Sequence, residues 1–384
     1  MTAAAAAAAH LVHGMGTEPV EPDWPVLTLP ECDYVLRRMG LGGAVEISWI
    51  SPRPLSAAAI VRAERGVASD GQVFVKRHHA SVRSSAGLRE EHRFLAHLRG
   101  RGAAVVEVLA DGEGDTVISS GPWRYEVHSV GVGEDLYRDA ISWSPFTDVR
   151  HAEAAGRALA LLHQAAEGYC APPRMPQPLV AGFEVGQDPD LIGSVRRYGA
   201  VRPAVAEYLA ARPWQEDFER WHLPFHRRLQ PLLGGLPPLW THNDFHASNL
   251  LWEHGRVATV LDFGLADRAF AVHDLAVAIE RNAVEWLELP GKGSAAVHFD
   301  SAAALLDGYR QVRRLTSDER RALPDLLALC HIDFALSEID YFAGVTGSTH
   351  NTDLAYRYLV DHTAWFAADL GSELLSRLAE RLES

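Results

Sequence analysis

The stretch Trp240–Leu275, WTHNDFHASNLLWEHGRVATVLDFGLADRAFAVHDL, concentrates the side chains best suited to chemistry. A polar cluster, His242 to Asn249, precedes one apolar run, Leu250–Trp252. A second cluster, Asp262-Phe263-Gly264, comes after another run, Val257–Leu261. Apolar runs of this length read as strands, and Glu253–Arg256 between them reads as a hairpin turn. A hairpin returns its outer ends to one place. Asp244, Asn249 and Asp262 are therefore expected to converge, although Asp262 lies 262 − 244 = 18 residues downstream of Asp244.

Converging Asp, Asn and Asp side chains offer hard oxygen ligands, which suit magnesium held partly by substrate phosphates. Phosphoryl transfer asks for such a set: one carboxylate to orient and deprotonate the attacking hydroxyl, and an Asn and a second carboxylate to hold the metal. His242 and His246, at i and i+4 with Asp244 between them, raise a transition-metal alternative. That alternative wants the two histidines on a helix, whereas Asn243 and the strand after it indicate a loop. His242 is read instead as bracing this loop against the Asp-Phe-Gly turn.

The H-x-D-x-x-x-x-N spacing followed by D-F-G resembles the kinase catalytic core. With His-Asn-Asp in the first motif, and Asp274 twelve residues beyond Asp262, it is most similar to the aminoglycoside phosphotransferase and choline kinase-like family. The resemblance implies an α+β, two-lobed protein-kinase-like fold, with a small antiparallel sheet N-lobe and a larger, mostly helical C-lobe. It implies MgATP-dependent transfer of the γ-phosphate to a hydroxyl of a small molecule. Asp244 would then be the base, Asn249 and Asp262 the Mg2+ ligands, and Asp274 a support of the catalytic loop beside His242. Lys76, in V-F-V-K, matches the lysine on the ATP phosphates. Glu91 matches the helix glutamate that pairs with it, with Glu90 as the neighbouring alternative. Backbone groups at Glu126, Val127 and His128 would meet the adenine.

The same resemblance places the acceptor against the helical lobe. There His331–Phe342, HIDFALSEIDYF, carries Asp333, Glu338, Asp340 and Tyr341, and Glu280 and Trp286 lie beyond the D-F-G segment. Carboxylates beside aromatic rings suit an amine-bearing hydroxyl compound: an aminoglycoside, an amino alcohol, or a hydroxy amino acid such as homoserine. The plainer alternative is a set of acids facing water on an amphipathic helix. Two rival functions are a kinase-like enzyme acting on protein and a nucleotide-binding regulatory module without turnover. The short path from Gly264 to Asp274, without an A-P-E element, leaves no room for a long activation segment. A regulatory module has no need of base, metal ligands and lysine together.

Other elements must hold these residues in place. Thr28-Leu29-Pro30-Glu31 has the spacing of a capping box, opening a helix to about Arg38. Strands are expected at Ala44–Ile50, Ala57–Arg65, Val73–Lys76, Val105–Leu109, Thr116–Ser119 and Trp123–Val130. An amphipathic helix is expected at Leu88–Arg99. Beyond Asp148 the pattern is helical, including Leu275–Leu287, Ser301–Arg314, Ser317–Val345 and Ala355–Ala379, with a proline-rich loop over 171–190. The expected division is a loosely ordered Ala-rich leader at 1–24, an ATP-binding N-lobe at 25–130 and a helical C-lobe at 131–384. Gly40-Leu41-Gly42-Gly43 lacks the third glycine and preceding strand of a dinucleotide fingerprint, and no Walker loop surrounds Lys292.

Composition narrows the rest. A net charge of −14, from 36 basic and 50 acidic residues, argues against nucleic acid or an anionic membrane as partner. Cys32, Cys170 and Cys330 are too far apart for a disulfide framework or a zinc site, so the chain reads as cytoplasmic. No apolar run reaches transmembrane length. Oligomeric state leaves no signature in the sequence.

Overall fold

The computed structural model describes residues 11–13, 15, 16, 18–65 and 70–383; the first ten residues of the expected leader lie outside that set. The described part of the leader is tied down. Val12–His13 (β1) pairs antiparallel with Pro19–Val20 (β2), and Trp24 stacks on His79 with ring centroids 4.9 Å apart.

The chain divides into two compact units, Met1–Arg89 with Glu107–Val130, and Glu90–Val106 with Gly131–Ser384. In the first, Leu29–Arg38 (α1) opens with the capping box anticipated at Thr28 and Glu31. The strands Ala44–Ile50 (β3), Ala57–Ala63 (β4) and Gln72–His79 (β5) come after it. Next are Ser85–Gly100 (α2), which continues into the second unit, then Ile118–Ser120 (β6) and Trp123–Ser129 (β7). The five-stranded antiparallel sheet has the order β3-β4-β5-β7-β6. Cys32, Val35 and Leu36 of α1 pack on Val61, Val73, Val75 and Val127 of the sheet. Burial of that apolar face fixes the strand register, since a one-residue slip would turn it to water. Val105–Leu109 is not a strand. It makes single bridges to two partners, Val105 to Val260 within the second unit and Val108 to His128 within the first, so no ladder propagates.

The second unit is mostly helical. Its elements are Val149–Ala166 (α3), Glu184–Gln187 (α4), Leu191–Ala200 (α5), Pro203–Ala210 (α6), Trp214–Asp217 (α7) and Leu223–Leu233 (α8). The strands Pro238–Thr241 (β8), Leu250–Glu253 (β9), Arg256–Val260 (β10) and Asp267–Phe270 (β11) come next. Ala271–Ala283 (α9), Leu289–Lys292 (α10), Phe299–Val312 (α11), Ser317–Leu329 (α12), Ile332–Tyr341 (α13), Thr349–Phe366 (α14) and Asp369–Glu383 (α15) complete it. β9 and β10 form the expected hairpin. Its turn is tighter than the sequence indicated, with His254 and Gly255 at φ 51° and 73°, the double left-handed conformation of a two-residue turn.

The long helices expected at 317–345 and 355–379 are each broken. The first stops at Leu329, restarts at Ile332 and turns into a π-helical segment at Phe342–Thr346; the second stops at Phe366. At the second break Gly371 lies so close to the backbone of Trp365 that no side chain fits. α3 and α11 cross at two further glycines. A Cβ on Gly156 would fall on the Leu305 carbonyl, and one on Gly308 on the Glu153 carbonyl, so the two helices meet backbone to backbone. Among the described residues no helix is long and apolar enough to cross a membrane.

Candidate functional site

The polar cluster at 242–249 links β8 to β9, and its described bonds within the second unit serve to fix its shape. Asn243 has φ 62° and Asp262 φ 56°, a left-handed backbone that Asn and Asp tolerate better than other non-glycine residues. Asn243 is further held by the Thr241 hydroxyl, which donates to its Oδ1 at 2.7 Å, and by its own Nδ2, which donates to Leu265 O at 3.3 Å. His242 accepts from the Asp244 amide through Nδ1 at 3.1 Å and donates through Nε2 to Leu261 O at 2.8 Å. Burial holds its pKa below the ordinary value, against the nearby charge of Asp274, so the ring is a neutral clip between the loop and the residue before Asp262.

Asp244 and Asn249 are in direct contact. Asn249 Nδ2 donates to Asp244 O at 3.0 Å and lies 3.3 Å from Asp244 Oδ2. Leu261 N donates to Asn249 O at 2.8 Å. Leu261 is thus bonded to the loop at both 242 and 249, which brings Asp262, the next residue, to the same end of the hairpin. With Nδ2 committed to Asp244, Asn249 presents Oδ1 as its ligand atom. Asp262 Oδ1 accepts from Gly264 N at 3.4 Å, and its carboxylate with the Asn249 amide oxygen makes a pair of hard donors. That chemistry fits magnesium.

α9 is the scaffold of the loop. Each of its thirteen residues is buried, yet three of its polar residues are spaced at i, i+7 and i+8, hence on one face. Asp274 accepts from the amides of His242 and Asn243 at 2.9 and 2.8 Å, and from His163 Nε2 at 3.0 Å. Burial alone would raise its pKa. The His163 bond, the His163 and His242 rings and the His242 amide outweigh this and hold it below the ordinary value. His163 is held in turn by the Tyr309 hydroxyl at 2.7 Å. Asn282 accepts from Ala247 N at 2.9 Å and donates to Phe245 O at 3.1 Å. Arg281 donates to Asp244 Oδ1. Of the three, only Asp274 was legible from the motif spacing. The signal for Arg281 and Asn282 was their position, two strongly polar residues on the Asp274 face of a mostly apolar helix.

Glu91 lies 3.5 Å from Arg174, a residue the motifs did not flag. Arg174 donates to Gly264 O and Ala266 O, each at 3.1 Å, so within the second unit Glu91 backs the segment after Asp262. In the first unit Lys76 sits on β5 directly across from Glu126 on β7. Glu126, Val127 and His128, the residues expected to meet the adenine, lie within β7. Glu126 and His128 face β5, and on the other edge Leu109 N donates to Val127 O at 2.8 Å. The Glu126 side chain is also engaged, 3.0 Å from His78 Nε2 and 3.2 Å from His128 Nε2.

The acceptor candidates of α13 stand on a core helix packed by α4, α6 and α14 rather than on an amphipathic one. Asp333 accepts from the amides of Val185 and Gly186 at 2.9 and 3.2 Å, fastening α4. Asp340 lies 3.5 Å from Arg202, and Tyr341 is wholly buried. Glu280 bonds His362 Nδ1 at 2.7 Å, and its carbonyl accepts from Trp286 Nε1; Trp286 stacks on His362 at 3.6 Å. Burial pushes Glu280 up to about 8 and His362 well below its ordinary value. The pair is therefore a neutral acid donating to a neutral imidazole, a structural joint. Of these acids, Glu338 keeps a buried carboxyl oxygen without a hydrogen-bond partner. Burial pushes it up to about 8 against the charge of Arg281.

Known proteins resemble the chain at both levels. The homoserine kinases of Phenylobacterium zucineum and Sinorhizobium medicae are 29% and 27% identical over 214 and 197 residues, 54% and 51% of this chain. The chain spans only 59% and 53% of their own lengths. An amicoumacin kinase solved with AMP-PNP and Ca2+ superposes with a TM-score of 0.55 at 15% identity, covering 88% of this chain and 96% of its own. A microcompartment-associated aminopropanol kinase gives 0.54 at 17%, covering 91% and 99%. Likeness at such low identity speaks to the fold, which is α+β and protein-kinase-like. The profile of the phosphotransferase enzyme family matches residues 53–315, from the first unit's sheet through the 242–264 loops and α9, and the chain belongs to that family.

Proposed function

We propose that the protein transfers the γ-phosphate of ATP to a hydroxyl of a small molecule. The observation that carries this reading is the wiring of Asp244. One carboxylate oxygen is anchored by Arg281, while the other, beside Asn249, keeps capacity to accept the proton of an incoming hydroxyl. Asp244 orients that hydroxyl and takes its proton as the new P–O bond forms and the bond to the ADP oxygen breaks. Asn249 Oδ1 and Asp262 would hold magnesium, which would supply positive charge to offset that of the phosphates. Lys76 remains the proposed phosphate-holding lysine, and Asp274 with His242 keeps the loop in register.

Within that activity we assign the acceptor to the amine-bearing hydroxy compounds, with a hydroxy amino acid such as homoserine first. Two relatives named homoserine kinase and the unpartnered oxygen of Glu338 near Arg281 support this choice. The test is ATP consumption across a panel of L-homoserine, amino alcohols, aminoglycosides and neutral sugars, with Asp244→Asn as control. Phosphorylation confined to neutral sugars refutes the amine. Turnover by Asp244→Asn at the parent rate refutes the base.

A further inference from the structure

We propose that Arg281 is a positioning residue for the catalytic carboxylate, acting through Asp244 rather than on the substrate; this rests on Asp244 being the base of the proposed reaction. A carboxylate that must present one oxygen to an acceptor needs its rotamer fixed by the other. Asp244 Oδ1 receives Arg281 Nη1 and lies 3.4 Å from His246 Nε2. Oδ2 has only the long contact to Asn249 among the described residues. The guanidinium thus occupies the oxygen that the reaction does not need.

Arg281 is itself held with unusual firmness for a cation. Its side chain is 2% exposed, and its guanidinium carbon lies 4.6 Å from the Trp143 ring and 4.8 Å from the Phe334 ring. Aromatic faces hold a guanidinium by its quadrupole attraction and leave its in-plane N–H groups free to bond. Those two rings, 5.6 Å apart, and Tyr358, 5.2 Å from Trp143, form one aromatic cluster. Trp143 reaches it from a backbone with φ 65°, a conformation a bulky residue keeps only where the surroundings impose it. A cation with a purely structural pairing could use any surface carboxylate. Here a strained tryptophan and a phenylalanine from α13 converge on a fully buried arginine from α9, and that arginine reaches the motif aspartate.

The test compares Arg281→Met, which keeps the volume between the rings, and Arg281→Lys, which keeps the charge without the fork. Each is made in the parent and in Asp244→Asn. Turnover of MgATP is followed with L-homoserine and, separately, as the slow hydrolysis to water. The expected result for Arg281→Met is a fall in kcat of about 10²-fold, the scale of a misplaced reacting group, with KM for ATP within about threefold of the parent value. The lysine variant should fall about tenfold, since a point charge replaces a fork. In the Asp244→Asn background neither substitution should lower the residual rate further, because their effect runs through the missing carboxylate.

An Arg281→Met enzyme within threefold of the parent overturns the inference, as does the same fold-loss in both backgrounds. If the methionine variant melts below assay temperature, the lysine variant decides by the same two comparisons. Loss of activity in Asp244→Asn alone, with both Arg281 variants unimpaired, overturns this inference and leaves the proposed function standing. A fully active Asp244→Asn enzyme, or a parent with no turnover at all, overturns the proposed function instead.

Discussion

Replacing Asp274 by Asn keeps its shape and removes its charge, and the hydrogen bonds around it set the consequence. Asp274 is wholly buried and accepts three hydrogen bonds, two at Oδ2 from His242 N and His163 Nε2 and one at Oδ1 from Asn243 N. An amide has one oxygen. If it faces His242 and His163, its NH2 meets the Asn243 amide; if it turns, the NH2 meets two donors. Either way at least one buried N–H is left unpaired, a cost of about 1–3 kcal/mol, and the surviving bonds each lose about 1 kcal/mol of charge assistance. The expected loss is about 3–5 kcal/mol, a large share of the roughly 5–15 kcal/mol that holds a domain folded. Urea unfolding at neutral pH measures it. A depressed carboxyl contributes stability above its unfolded pKa and loses it as pH falls through the lower folded value. The parent and variant unfolding free energies should therefore converge in acid. The amides at stake belong to His242 and Asn243, so kcat should fall at least about tenfold in whatever fraction remains folded. A stability loss below about 1 kcal/mol would refute the reasoning, because it would mean that the three bonds carry no charge assistance.

Glu280→Gln keeps a donor toward His362 and removes a titration. Burial raises the folded pKa of Glu280 to about 8 from 4.5, so the contribution is full below 4.5 and is lost as pH rises through about 8. The variant should gain on the parent between those values by up to about 1.4 kcal/mol per pH unit, read by denaturation across that range. Asp262→Asn should abolish MgATP turnover while the melting temperature stays near the parent value, and activity at low magnesium equal to the parent would count against it. Asp244→Ala should lower kcat by about 10²–10⁴-fold with ATP affinity little changed; equilibrium nucleotide binding checks the second half. Trp143→Leu relieves backbone strain only slightly but removes one face from Arg281, so kcat should fall while thermal stability changes by a few degrees at most.

What the sequence made legible was local. The capping box at Thr28, the strands expected at 44–50 and 57–65 (the second ending at 63 in the structure), and the hairpin between the two motif clusters all derive from neighbouring residue types. The family was readable in two motifs at fixed spacing, and the profile match covers that same region. The helix breaks at Cys330 and Ala367 were not legible, because neither carries a proline and the chain turns there to satisfy tertiary packing. The surroundings of the α13 acids were not legible for a related reason. A carboxylate on a helix looks solvated until its partner is known, and the partners of Asp333 and Asp340 lie far back in the chain, at Val185 and Arg202. Arg281 and Asn282 stood in plain view on the Asp274 face, but reading them required treating α9 as buried all round.

The glycine crossing of α3 and α11 bears on how such an enzyme can change. His163 lies two turns beyond Gly156, and Tyr309 is next to Gly308, so the relay Tyr309–His163–Asp274 hangs from a crossing whose two points of closest approach are backbone on backbone. At those two points any added side chain would strike the facing carbonyl. Drift is thereby channelled: the two glycine points of α3 and α11 are closed to change, whereas helices that meet through side chains, such as α13 and α14, can be repacked. The frame behind the catalytic loop admits only glycine at two points. A library saturating positions 156 and 308 should return little but the parent residue, while one at Glu338, which leaves the rings around Arg281 intact, should return active proteins with altered selectivity. Reuse of one phosphoryl-transfer frame for many alcohols needs that division of labour, and here two hydrogen atoms in place of side chains enforce it.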